Sequence, residues 1–72
     1  MPDEEEGRLR SALTDSHLLS IAALYALTHA VPSVANDNDA YRELVEADAT
    51  AREQYTAARF ALKAYRTMKY LN

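Results

Sequence analysis

The side chains with chemistry to offer are two histidines, a scatter of carboxylates, a run of lysines and arginines near the C-terminus, and five tyrosines. Histidine titrates near neutral pH and can ligate a metal or carry a proton. His17 and His29 lie roughly three helical turns apart, so one chain cannot bring both to one ion. Glu43, Glu46 and Glu53 would need a Glu-x-x-His pair on a facing helix to make a bundle di-metal centre. The sequence has no such pair, and its apolar stretch offers no Glu. Asp37 and Asp39 start like a calcium loop, but the Gly and the closing Glu spacing are missing. With no Cys, thiolate metal sites and disulfides are excluded. There is no Gly-rich phosphate loop and no Gly-x-Ser-x-Gly. The expectation is a protein that is not an enzyme, with no catalytic, cofactor-binding or metal-binding residues.

The charged feature that remains is a stripe. Arg59, Lys63 and Arg66 follow steps of four and three, so they share one helix face. Arg52 extends it at the start, and Lys69 and Tyr70 close it. Cations beside an aromatic can grip phosphates and stack on a base, which would suit a nucleic acid. They would also suit an acidic protein, or simply the negative end of a helix dipole. The net charge of -3 and pI near 5.2 are unlike those of a general nucleic-acid binder, and favour a solvated stripe. Tyrosine buries its ring while keeping a polar bond, which suits interfaces.

The element that must carry these residues is the run from Asn36 to Leu71, which has neither Gly nor Pro. Asn36, Asp37, Asn38 and Asp39 are helix-capping types. Asp48 and Arg52 form an i,i+4 pair in the favourable order. One stripe reads Tyr41, Leu44, Asp48, Ala51, Tyr55, Ala58, Leu62, Tyr65, alternating three and four as in a heptad seam. A second reads Ala57, Ala61, Ala64, Met68, Leu71, with Phe60 beside it. One facing helix cannot cover both.

Upstream, Thr14, Asp15 and Ser16 look like a helix start, with Thr14 as N-cap. The stretch from Leu18 to Val31 is apolar nearly all round and should be central, the alternative being an exposed filler for a partner's groove. Pro32 should end it near Ala30 or Val31. At this length, and with His17, Ser20, Thr28 and His29 in it, it is no membrane span. Pro32 to Ala35 then reads as the turn of an antiparallel hairpin.

Residues 1–10 read either as a short helix opened by Pro2, with Glu4–Arg8 and Glu6–Arg10 pairs weakened by Gly7, or as a disordered acidic tail. In the second case the acidic run could serve as ligand for a basic surface, such as the Arg59–Lys69 face of another chain. The N-terminus is acidic where a signal peptide needs a basic one, so the default location is cytoplasmic.

The fold expected is one all-α domain over residues 1–72: an antiparallel hairpin with a short apolar helix at about 14–31 and a long one at about 37–71. A first helix about half as long as the second leaves Tyr41, Tyr55 and Tyr65 incompletely covered. A chain of 72 residues, 14 of its apolar ones Ala, gains little from a single core. Completion by a homo-oligomer, a dimer first, or by another protein is the usual remedy. The interface would draw on Tyr41, Leu44, Tyr55, Phe60, Leu62, Tyr65 and Met68. Function is then that of a small non-catalytic interaction module (a regulator, adaptor or inhibitor, of the kind a mobile element encodes). The alternative is nucleic-acid binding through Arg52, Arg59, Lys63, Arg66, Lys69 and Tyr70.

Overall fold

The computed structural model describes residues 3–71. It is all-helical there: α1 (Glu4–Thr28), a one-turn α2 (Pro32–Ala35) and α3 (Asn38–Leu71), with α1 packed along α3 as a hairpin. Met1 and Pro2, the latter read as a first helical residue, lie outside the described residues.

The first helix begins about ten residues earlier than its sequence suggests. Thr14 is an interior residue, not a cap. The start is set by Asp3, whose Oδ1 accepts from the backbone N–H groups of Glu5 (3.0 Å) and Glu6 (3.3 Å). Glu4, Glu5 and Glu6 then lie at the positive end of the dipole. Gly7 is carried inside the helix, donating its N–H to the Asp3 carbonyl at 3.0 Å. Of the expected i,i+4 pairs neither is the one formed: Arg8 meets Glu5 at 3.1 Å, and Glu6 turns across to α3.

At the other end α1 closes at Thr28, two or three residues short of the expected stop. Thr28 Oγ1 donates back to the Leu24 carbonyl at 2.9 Å, and the His29 N–H to that of Tyr25 at 2.9 Å. Val31 is extended (φ -67°, ψ 156°), as the residue before a proline should be. Pro32 starts α2, where its missing N–H costs nothing. Asp37 Oδ1 caps α3 by accepting from Asp39 (3.0 Å) and Ala40 (3.2 Å).

The helices are thus 25 and 34 residues long, not one half the other, and α1 covers the excess that a shorter helix would leave on α3. Leu9, Leu13, Ser16, Ser20, Ala23 and Leu27 of α1, at steps of three and four, face the first stripe of α3 from Leu44 to Tyr65. Two helices side by side enclose little. The rod measures 55 × 18 × 13 Å with a radius of gyration of 16.4 Å, against about 11 Å for a compact domain of this length. Among the described residues, the hydrophobic side chains that count as buried are Ala51 and Leu62.

Candidate interaction surfaces

The two helix ends opposite the turn are joined by a polar cluster. Asp3 Oδ1 caps α1, and Oδ2 of the same carboxylate accepts from Tyr65 Oη and from Lys69 Nζ, the latter at 2.7 Å. Glu6 accepts from Arg66 Nε at 2.9 Å, with Lys69 Nζ 3.7 Å away. The hydrogen bonds from Lys69 and then Tyr65 hold the Asp3 carboxyl well below the usual carboxylate range. Arg66 lowers Glu6 in the same way. Reciprocally, bonding to Asp3 raises both the Tyr65 phenol and the Lys69 ammonium. Exposed ion pairs add little stability one by one. Here they share atoms with the cap, so they fix where α1 starts against α3.

The basic stripe is therefore largely engaged within its own chain. Arg66 and Lys69 hold the acidic lead-in, and Arg52 pairs with Asp48 at 2.7 Å. Arg59 lies over the Tyr55 ring, 5.6 Å from its centroid, and Lys69 approaches the Tyr70 ring at 5.6 Å. Among the described residues, Arg59 and Lys63 are the members of the stripe without a carboxylate partner. The acidic run, for which a basic surface on another chain was one of the readings, meets basic residues of its own chain.

The tyrosine seam is turned inward at Tyr55 and Tyr65. Tyr55 stacks on His17 (centroids 4.9 Å, 14°), and Tyr65 is bonded to Asp3. With its start at Asp3 the first helix covers Tyr65 as well as Tyr55, and of the three rings Tyr41 stays exposed. Leu62 is 5% exposed and Leu44 half-buried on the same seam, while Tyr41, beside the turn, remains 43% exposed. Asp48 interrupts the seam as a buried carboxylate. Its Oδ2 meets Arg52, and its Oδ1 has no hydrogen-bond partner. His29 stacks on Tyr25 (4.1 Å, 17°) at the end of α1. Among the described residues no three His, Asp or Glu side chains are grouped to hold a metal, and no helix is long and apolar enough to cross a membrane.

Two apolar faces point away from the seam. The first is the outer side of α1: Leu18, Leu19, Ile21, Leu24 and Tyr25 are exposed, Leu18 at 60%. Sequence reasoning placed these residues in the centre, because a helix apolar all round has no face to show water. The helical period lets a single neighbour cover one side of it. The second is the outer side of α3, where Phe60 is 72% exposed and Met68 and Leu71 are similarly bare. Of the seven candidate interface residues, then, Phe60, Met68 and Tyr41 face outward, and Leu44, Tyr55, Leu62 and Tyr65 line the seam. The signal for Leu18, Ile21 and Tyr25 was present in the all-round apolarity of their stretch. Compared with protein-family models, curated proteins and solved structures, the chain matches none.

Proposed function

We propose that the chain is a small non-catalytic helical interaction module that acts by seating the outer face of α3 on a larger protein, as a regulator, adaptor or inhibitor. The observation that carries the reading is Phe60. It stands two positions before the buried Leu62, so the helical period turns it to the far side of α3, where α1 cannot reach. Shallow grooves flank it, one lined by Arg52, Glu53, Thr56 and Ala57, the other by Thr56, Arg59 and Lys63. An aromatic side chain beside arginine is a composition enriched at the cores of protein interfaces. Arg59 and Lys63 point to a partner whose apolar pocket has an acidic rim.

The alternative, nucleic-acid binding, draws on the same two cations. A contact made by two charges would show a weak salt dependence, with a slope of about -2.

A photoreactive benzoyl-phenylalanine at position 60 tests the proposal in the native cell. The expected result is a discrete adduct with one larger protein. That protein, once purified, should bind at fixed stoichiometry, and Phe60→Ala should weaken it at least about 30-fold. Thermal unfolding of the variant should stay within about 0.5 kcal/mol of the parent, since an exposed side chain is removed. Absence of an adduct, or affinity untouched by Phe60→Ala, contradicts the reading. Salt-sensitive binding to short DNA or RNA that Lys63→Glu abolishes would favour the alternative.

A further inference from the structure

We infer that the outer face of α1 is covered by the same face of a second copy, so that two hairpins pair through their first helices. The surface is distinct from the one assigned above to a larger protein, and the two stand separately.

Area argues first. A folded monomer of 8.1 kDa exposes about 4,500 Å². This chain exposes 5801 Å², an excess of roughly 1,300 Å². The exposed Leu18, Ile21 and Tyr25 contribute part of that excess, and a second copy would cover it on both chains at once. Shape agrees. A slab 13 Å thick is one helix deep, so the side of α1 turned away from α3 has no neighbour in its own chain.

Charge then selects the occupant. From Ser16 to Asn36 the sequence contains no Asp, Glu, Lys or Arg, although the chain carries a net charge of -3. Repulsion between copies therefore originates elsewhere, and a charged partner would find nothing on this face to pair with. An identical face matches it, because a twofold axis sets the same patch against itself. Leu18, Ala22 and Tyr25 follow steps of four and three down the outer side of α1. In an antiparallel pairing the small Ala22 leaves room for Leu18 or Tyr25 of the copy. Beside it, Leu19, Ala22 and Ala23 line a groove with Ala47 and Ala51 of α3, where a further helix can approach.

The chain has no native Cys, so a single introduced one reports proximity. Ala22→Cys should crosslink into a dimer under mild oxidation or with a short bismaleimide. Ala49→Cys, on the outer side of α3, should not. Light scattering should give about twice 8.1 kDa for the parent. Leu18→Glu should weaken the dimer at least about 30-fold, and Ala49→Glu, with the same added charge, should leave it intact. If Leu18→Glu fails to fold, the cysteine pair still decides. A fully helical monomer across the concentration range overturns the inference, as does a dimer that crosslinks through position 49 rather than 22. A dimer with no heterologous adduct at Phe60 sinks only the larger-partner reading. A monomer with such an adduct sinks only the dimer.

Discussion

Between Asp3 and Arg10, α1 meets α3 through charges, and each charge has an address: Asp3 on Tyr65 and Lys69, Glu6 on Arg66. Between Ser16 and Thr28 the same helix offers α3 small and apolar side chains, and leaves more of the same facing outward. The polar end is satisfied within the chain and specifies the pairing. The apolar half gains from burial against any matching surface, and has spent only one side of itself. One helix thus holds its register with its first two turns and leaves an apolar side uncovered along its last three.

The strongest way to break this contrast is to remove what both regions depend on. Leu62→Ala hollows the seam between them, at a side chain 5% exposed. Its cost should be about 2–4 kcal/mol, read as a fall in urea midpoint at fixed protein concentration. A loss under about 1 kcal/mol would mean that the seam is not a packed interface.

Asp3→Ala breaks the polar end alone. It removes a cap and two cross-helix bonds together, so amides of residues 5–12 should exchange faster while those of 16–28 keep their protection. Acid should do the same. Asp3 and Glu6 are depressed in the folded chain, so their contribution is complete above the usual carboxylate values near 4 and is lost as pH falls through the lower folded ones. Lys69 and Tyr65 are raised, so theirs is complete below about 10 and lost as pH climbs through the higher folded values. If exchange at residues 5–12, relative to that at 16–28, did not speed up as pH falls from about 5 towards 2, this account would be contradicted.

Asp48→Leu sharpens the contrast from the other side. It trades a buried carboxylate with one orphaned oxygen for an apolar side chain, so stability should be unchanged or higher by about 1 kcal/mol. Destabilisation in the urea midpoint would mean that the Asp48–Arg52 pair holds the seam. The smallest effect belongs to Gly7→Ala. A Cβ there meets nothing within 4 Å, and the site is an exposed helix interior. A gain of about 0.5–1 kcal/mol should follow, confined to the polar end, and seen as slower exchange there.

The sequence made α3 legible within two residues, because Asp37 caps it and no Gly or Pro interrupts it. Both of its apolar stripes could be read too, as could the hairpin turn at Pro32. The start of α1 could not. Thr14-Asp15-Ser16 imitates a cap and Gly7 imitates a break, and what overrides both is a contact 62 residues away in sequence, Tyr65 on Asp3. Which stripe of α3 would be covered followed from that same misplaced start. A shorter α1 would leave Tyr65 bare, whereas the real one claims it through Asp3; Tyr55 meets His17, which either start includes, and Phe60 and Leu18 stay outside.

The most direct measurement is small-angle X-ray scattering of the unmodified chain over a concentration series, giving mass and largest dimension together. A polar end that closes the chain on itself and an apolar face that calls for another chain predict a particle of about 16 kDa, twice 8.1 kDa, whose length stays near 55 Å because the hairpins lie side by side. A folded particle of 8.1 kDa at every concentration, or a dimer of about double the length joined end to end, would contradict the account.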